Sequence, residues 1–241
     1  MRLSYTIITI ICFLNLRPLF AQSVQYPFSH LDISNGLSHN QVTAIIKDAK
    51  GFMWFGTASG LNRYDGYTFT IFRHRENDST SLNDDLIVKI QEGPDNKFWI
   101  DTRSGQCVFD PVSEKALINT TGYYRKLSLP TAFVTDIVKD KQGCYWFAQA
   151  GNGVTRYNPV THTVKRFKRQ PDITDMTADN AGNIWIMYTD GLLEGYNTAT
   201  EKLIVSNAGL FKRQEELRYH LFADAENDLW MYTEGLPQGA F

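Results

Sequence analysis

The feature that most constrains the fold of this 241-residue chain is the spacing of its tryptophans. All five lie at intervals of 45, 47, 39 and 45 residues, at Trp54, Trp99, Trp146, Trp185 and Trp230. Around each one, short runs of β-branched and aromatic residues alternate with turn residues, a pattern typical of short antiparallel strands. A repeat of about 40–50 residues built from such strands indicates the blades of a β-propeller.

Three further positions are occupied by similar residues in the repeats, with Gly93 as the exception. Nine residues before the Trp the residue is apolar: Ile45, Ile90, Ile137, Met176 and Leu221. Six before it the residues are Asp48, Gly93, Asp140, Asp179 and Asp224. Three before it they are Gly51, Asn96, Gly143, Gly182 and Asn227. Because Gly and Asn adopt positive φ at low cost, we predict a hairpin turn here, with the Trp on the following strand.

We therefore predict an all-β chain, a β-propeller of four-stranded antiparallel blades with about four and a half blades present. The predicted blades lie near 42–73, 86–120, 133–168, 172–206 and 217–241. Residues 22–41 precede them, and the alternating apolar residues of Tyr26–Ile33 predict a strand that would close the ring. Since the fifth blade is incomplete, we expect an open arc with an exposed edge. A β-sandwich with chance Trp spacing does not explain five aligned turns.

The Trp side chains are expected to fill the wedges between neighbouring sheets, which makes them structural. Stacking on a carbohydrate is the alternative role. The chain's net charge of −2 and lack of a basic stripe argue against a nucleic-acid partner. Met1-Arg2 followed by the apolar run Tyr5–Leu16 predicts a signal peptide over residues 1–21, and hence a periplasmic location after cleavage.

The first repeat, GLSHNQVTAIIKDAKGFMWFGTASGLNRYDGYTF at 36–69, resembles the two-component regulator propeller repeat, and weaker copies follow it. The link RENDSTSLNDDLI at 75–87 is similar to a Ser-Leu-containing link between early blades of that family. The resemblance implies the sensor region of a Bacteroidetes hybrid two-component system histidine kinase, with seven-bladed rings. It also implies an oligosaccharide ligand and signalling as a homodimer.

The sequence contains no phospho-acceptor helix, ATP lid, receiver or second apolar segment of spanning length. We therefore expect no enzymatic activity in this chain, which would be the N-terminal part of a sensor that reaches the membrane only through later segments. An independent exported carbohydrate-binding module is an alternative. A propeller glycosidase or lyase is another, although no Gly-x-Ser-x-Gly elbow or comparable motif is present.

Ligands of propellers usually meet the face made by the loops between second and third strands and by the links between blades. Four polar residues of those loops suit hydrogen bonds to sugar hydroxyls: Arg103, Gln149, Asn152 and Asp190. The alternative is that each is an ordinary solvated loop residue. The five histidines lack ligand-like spacing, so neither a metal nor a cofactor is predicted. The sequence leaves open whether Cys107 and Cys144 form a disulfide.

Overall fold

The structure is a computed structural model, and it describes residues 28–167, 172–208 and 218–234. The chain divides into two compact units, 1–31 and 32–241. Within the first unit only residues 28–31 are described, and they have no regular secondary structure. The predicted signal peptide lies outside the described residues.

The second unit consists of antiparallel sheets whose strands follow the chain order. The first sheet contains β1 (Val42–Lys47), β2 (Met53–Thr57), β3 (Gly60–Tyr64) and β4 (Phe69–Phe72). The second contains β5 (Ile87–Glu92), β6 (Phe98–Thr102), β7 (Gly105–Asp110) and β8 (Lys115–Leu117). The third contains β9 (Val134–Lys139), β10 (Tyr145–Gln149), β11 (Gly153–Asn158) and β12 (Thr163–Phe167). The fourth contains β13 (Ile173–Ala178), β14 (Asn183–Tyr188), β15 (Leu193–Asn197) and β16 (Lys202–Asn207).

In the part of the chain that the structure describes, the fifth sheet has two strands, β17 (Arg218–Ala223) and β18 (Leu229–Glu234). Short helical segments interrupt the sheets: a 3-10 turn at Ile33–Asn35, another at Pro94–Asn96, and one α-helix, α1 (Thr121–Lys126). No helix in the described ranges has the length and apolar character needed to cross a membrane.

Each turn before a Trp strand has a residue with positive φ at the same position. The residue three before the Trp has φ between 53° and 92° in all five sheets: Gly51, Asn96, Gly143, Gly182 and Asn227. In four of the sheets the Asp six before the Trp also accepts backbone N–H groups of the turn. The predicted turns are therefore present. In these four sheets the Asp carboxylate stabilises the turn by accepting its backbone N–H groups.

The same Asp carboxylate has a second partner, the indole of the Trp that follows. The indole Nε1 donates to Asp Oδ2 at 2.8–2.9 Å in the pairs Asp48–Trp54, Asp140–Trp146, Asp179–Trp185 and Asp224–Trp230. One carboxylate thus fixes both the turn and the orientation of a large ring, because a buried or half-buried indole N–H requires an acceptor.

The second sheet departs from this arrangement because Gly93 replaces the Asp. A Cβ atom at Gly93 would lie 2.0 Å from Cζ3 of Trp99, so the indole ring occupies the space that a side chain would need. Trp99 instead contacts Tyr123 of α1 and Phe147 of the next sheet, with ring centroids 5.5 and 5.7 Å apart. Glycine at this position therefore follows from the packing of the ring.

The sheets pack on one another in sequence through their first strands, β1 on β5, β5 on β9, β9 on β13 and β13 on β17. Trp54 is fully buried, and its ring lies 5.4 Å from Phe98 and 5.6 Å from Phe109 of the following sheet. At Gly56 an added Cβ would come within 2.6 Å of Ile87 Cγ2, which shows how closely the sheets approach. The sheets are thus blades of a β-propeller, as the Trp spacing predicts.

The strand predicted over Tyr26–Ile33 is not found in residues 28–33, where the chain is irregular and then enters the 3-10 turn; residues 26 and 27 lie outside the described ranges. Asp32 accepts the backbone N–H of Ser34 at 2.8 Å, and this local bond favours a turn over an extended chain. Cys107 and Cys144 are both buried free thiols, so no disulfide joins them.

Candidate functional site

A column of polar side chains lies on the first strands of the blades. Ten residues before each Trp the blades carry Ala44, Lys89, Asp136, Asp175 and His220. In the first four blades the pairing of the first two strands is irregular just before this residue. Such bulges re-aim side chains and are frequent beside binding sites. We call Lys89, Asp136, Asp175 and His220 the inner-strand column.

The members of this column contact one another across blade boundaries. Lys89 Nζ lies 3.0 Å from Asp136 Oδ1, and Gln91 Nε2 donates to the same oxygen at 2.5 Å. Two blades further along, His220 Nδ1 lies 3.4 Å from Asp175 Oδ2. The column therefore couples the second blade to the third and the fourth to the fifth by polar contacts.

Burial raises the pKa of two carboxyl groups in this region. Burial raises the pKa of Asp175, although His220 and the backbone N–H of Leu221 oppose the rise. Burial also raises the pKa of Asp101 on β6, while a hydrogen bond from Gln106 and the charge of Lys89 lower it. Carboxyl groups with a shifted pKa are frequent in functional sites, because burial and neighbouring charges are combined there.

Gln106 on β7 connects Asp101 to the link between the second and third blades. Its Nε2 donates to Asp101 Oδ1 at 2.6 Å and to the Val134 carbonyl at 2.9 Å. Its Oε1 accepts the hydroxyl of Tyr124, on α1, at 2.5 Å. Both the nitrogen and the oxygen of the amide therefore have hydrogen-bond partners, and the oxygen orients the Tyr124 hydroxyl.

A cavity of about 240 Å³ opens beside this amide, between α1 and the chain that enters β9. Its lining includes Gln106, Thr120, Thr121, Tyr124, Thr131 and Phe133. Hydroxyl and amide groups that both donate and accept hydrogen bonds suit a small polyhydroxylated ligand, and Phe133 adds a half-exposed ring at the rim. This cavity is the candidate binding site.

The four residues predicted from the loops each have local hydrogen-bond partners. Arg103 Nε pairs with Asp84 Oδ2 at 3.1 Å, and Asp190 Oδ1 accepts the N–H of Leu192 at 3.1 Å. Asn152 Nδ2 donates to the carbonyl of Ala150, and Gln149 Nε2 donates to those of Pro130 and Ala132. Gln149 and Asn152 are joined by their backbone, because the Asn152 N–H donates to the Gln149 carbonyl at 2.9 Å.

Gln149 differs from the other three in being almost completely buried. Its Oε1 is buried without a hydrogen-bond partner among the described residues, whereas its amide nitrogen holds the chain segment that leads to the cavity. Gln149 therefore holds the chain segment that forms one wall of the cavity, and its predicted contact with a sugar stays a prediction.

The inner-strand column and α1 were not predicted from the sequence. The column escapes detection because its residue type changes from blade to blade, although its distance from the Trp is constant. That constant distance, together with four ionisable side chains in five repeats, is the signal that could have found it. The helix is only six residues long and has no hydrogen-bonding side-chain cap.

The stacked four-stranded blades define the class of this protein as a β-propeller. Residues 36–59 match the family model described as a two component regulator propeller. The match covers β1 and β2 of the first blade and lies within the stretch 36–69 that the sequence analysis compares with this repeat.

One curated relative is "Histidine kinase P4" of Formosa agariphila, which is 41% identical over 63 residues, 26% of this chain. The aligned part is 5% of that protein, so this chain corresponds to a small fraction of its length.

Solved structures share the fold. The extracellular domain of a hybrid two component system from B. thetaiotaomicron is 20% identical, with a TM-score of 0.54 over 86% of this chain and 27% of that one. Catalytically inactive virginiamycin B lyase from Staphylococcus aureus is 15% identical, with a TM-score of 0.54 over 87% of this chain and 68% of that one. At these identities the likeness concerns the fold alone.

Proposed function

We propose that this chain is a ligand-sensing propeller of a hybrid two-component signalling protein and that it acts outside the cytoplasm. The observation that carries the proposal is the polar cavity between the second and third blades, in a chain whose first blade is a two-component regulator propeller repeat. The histidine kinase relative and the extracellular sensor structure support this role. The predicted signal peptide at residues 1–21 supports the location.

The proposed ligand is an oligosaccharide with one sugar unit in the cavity. Thr121 and Thr131 present exposed hydroxyls at its rim, and Tyr124 supplies a buried one. The ring of Phe133 is 47% exposed and can cover an apolar face of a sugar. Longer saccharides would extend over the loops that contain Arg103 and Asn152.

The inner-strand column supplies a route from the cavity to other blades. A ligand that displaces the Tyr124 hydroxyl from Gln106 would loosen the Gln106–Asp101 bond, and Asp101 senses the charges of Lys89 and Asp136. Since Lys89 and Asp136 bridge two blades, the displacement would change the contact between those blades. Binding and a change in blade packing are thereby coupled.

Isothermal titration of the chain with a panel of oligosaccharides tests binding at the cavity. Phe133→Ala should weaken the binding of a saccharide by about tenfold, the loss of one aromatic contact. The matched control is Tyr67→Ala, because Tyr67 is also an exposed aromatic residue, 90% exposed, on a turn of the first blade. Equal effects of the two changes would contradict the cavity as the site, and release of shorter sugars would indicate a glycosidase or lyase instead.

A further inference from the structure

The Trp of the second blade is oriented differently from those of the other blades. In the first, third, fourth and fifth blades the indole Nε1 donates to the Asp of the turn before the Trp strand. In the second blade that turn has Gly93, and the atoms of Trp99 closest to a Cβ there, Cζ3 and Cε3, belong to the six-membered ring. Because the six-membered ring faces the turn, the indole nitrogen of Trp99 points away from it.

The Trp99 indole nitrogen is a buried hydrogen-bond donor. Trp99 is 1% exposed, and its Nε1 has no hydrogen-bond partner among the described residues. A buried N–H without an acceptor is rare in proteins, because the loss of its hydration is not compensated. Such a donor gains a hydrogen bond as soon as a neighbouring acceptor is turned toward it.

A hydroxyl group beside the Trp99 indole is that of Tyr124, which lines the cavity. The two side chains belong to one buried cluster. Burial raises the pKa of Tyr124, while hydrogen bonding from the Trp99 indole and from Thr120 opposes the rise. The hydroxyl donates to Gln106 Oε1 at 2.5 Å. The Trp99 N–H is therefore near the Tyr124 oxygen, but the short bond to Gln106 holds that oxygen outside full hydrogen-bond geometry with the indole.

Gln106 can release the Tyr124 hydroxyl and still keep hydrogen bonds at both ends of its amide. Its Oε1 also accepts the backbone N–H of Val134 at 3.4 Å. Its Nε2 donates to Asp101 and to the Val134 carbonyl, so the amide keeps its orientation. A hydroxyl proton rotates about a single bond, and the redirection of the Tyr124 proton therefore requires little movement.

We propose that Tyr124 and Trp99 together determine which ligand the cavity accepts. Tyr124 redirects its hydroxyl proton from Gln106 to an oxygen of the ligand, and the Tyr124 oxygen then accepts the Trp99 N–H. Binding thereby satisfies the buried indole N–H as well as the hydroxyl. Tyr124 contacts the ligand, whereas Trp99 acts through Tyr124 and is a positioning residue. Both roles rest on the proposed function, because they concern the same cavity.

The ligand that fits this arrangement is an uncharged saccharide unit. When Tyr124 accepts from Trp99 it is a donor toward the cavity, so the ligand has to present an acceptor such as a hydroxyl, ring or ether oxygen. A protonated amino group presents no acceptor. The residues that line the cavity carry no charge, so the carboxylate of an acidic sugar would be buried there without a cation. Neutral oligosaccharides should therefore bind more tightly than their amino or acidic counterparts.

Proton–nitrogen NMR of the chain, titrated with a panel of neutral oligosaccharides, tests the hydrogen bond from Trp99. A saccharide that binds should move the Trp99 indole proton downfield, as the formation of a hydrogen bond does. The Trp146 indole proton is the internal control, because it is already bound to Asp140 and should not move. A Trp99 signal that stays in place when the chain is saturated with saccharide would overturn the proposal.

Titration calorimetry of two variants provides a second measurement. Tyr124→Phe should weaken the binding of a neutral oligosaccharide by about tenfold and Trp99→Phe by about fivefold, since each removes one hydrogen bond of the bound state. The matched controls, Tyr157→Phe and Trp146→Phe, remove a buried hydroxyl and a buried indole N–H outside the cavity lining and should leave the affinity unchanged. If Trp99→Phe melts at a lower temperature than the wild type, Tyr124→Phe and the NMR titration decide.

The outcomes distinguish a failure of this proposal from a failure of the proposed function. If Phe133→Ala weakens saccharide binding while Tyr124→Phe and Trp99→Phe do not, the cavity binds the ligand and only the roles of Tyr124 and Trp99 are overturned. Acidic or amino oligosaccharides that bind as tightly as neutral ones of the same length would overturn the proposed selectivity in the same way. A panel that gives no binding, or binding that Phe133→Ala leaves unchanged, would overturn both.

Discussion

The first and fifth blades contain the same local motif in different surroundings. In both, an Asp six residues before the Trp accepts the indole N–H at 2.8 Å, and the residue three before it has positive φ. Yet Trp54 is fully buried under the next blade, whereas Trp230 is 45% exposed. The turn and the orientation of the Trp are therefore local properties of the repeat, while burial of the ring depends on the following blade.

The largest difference between the two blades should appear when the ring is removed. Trp54→Ala should cost about 3–5 kcal/mol of unfolding free energy, since it leaves a cavity between two blades. Trp230→Ala should cost less than about 2 kcal/mol, because half of its side chain already meets solvent. Urea denaturation of both variants, at concentrations where the chain is monomeric, measures the two values. Equal losses would contradict the assignment of the ring to the space between blades.

The second blade provides a steric version of the same comparison. Gly93→Ala would place a Cβ 2.0 Å from the Trp99 ring, and the forced shift of a buried indole should cost about 1–3 kcal/mol. Gly122→Ala is the matched control, because no atom lies within 4 Å of a Cβ at that position in α1. Denaturation should show no loss for Gly122→Ala, where the change favours the helix. A harmless Gly93→Ala would mean that Trp99 is placed differently.

The Asp six residues before the Trp should also contribute more to the free energy of unfolding where its side chain is buried. Asp140 has a fully buried side chain, and it accepts from Cys144 N, Trp146 Nε1 and Arg156 Nε at 2.8, 2.8 and 3.3 Å. Asp140→Ala should lower the unfolding free energy by about 1–3 kcal/mol, because these donors lose their acceptor. Asp224→Ala, in the fifth blade, should lower it by less. Thermal melts of the two variants measure the two losses of stability. A larger loss for Asp224→Ala than for Asp140→Ala would contradict this prediction.

The smallest expected effects concern the pH dependence of stability. Replacing a buried Asp should raise stability near neutral pH, whereas replacing an exposed Asp should lower it. Burial raises the pKa of Asp101, so its contribution to stability is favourable in acid and is lost as the pH rises through the raised value. Asp101→Asn should therefore gain stability relative to the wild type between about pH 4 and pH 7. Lys89 and Asp136 face this group and remain in both proteins.

Asp224 is the counterpart on the fifth blade. The Trp230 indole lowers the pKa of Asp224, so its contribution is present above the ordinary value and is lost as the pH falls. Asp224→Asn should be less stable than the wild type at pH 7, and the difference should shrink below about pH 4. Melting temperatures across this range measure both variants. The same sign for the two changes would contradict the contrast between covered and exposed blades.

The fold could be predicted from the sequence because its determinants are local and repeated. A turn that needs positive φ and a Trp at constant distance recur in every blade, so five copies reinforce one another. The dual role of the Asp could not be predicted, because the sequence shows its spacing from the Trp but not that its carboxylate reaches the indole. The need for glycine at position 93 could not be predicted either, because it depends on the position of the Trp99 ring.

The candidate binding site was harder to predict from the sequence than the fold. It depends on contacts between blades, such as the one from Lys89 to Asp136, which are 47 residues apart in sequence. It also depends on Tyr124, on a short helix with no sequence repeat. Arg103 and Asp190 were selected as polar residues of loops on the face where propeller ligands usually bind, and polar loop residues often stabilise their own turns as well.

The exchange rate of the five indole N–H protons, measured by NMR, tests the central claim most directly. If each blade buries the Trp of the blade before it, the Trp54 and Trp146 indoles should exchange most slowly. The Trp230 indole should exchange fastest, although it has the same hydrogen bond to Asp. Protection of Trp230 equal to that of Trp146 would contradict the account, because the hydrogen bond alone, and not the next blade, would then determine how the ring is held.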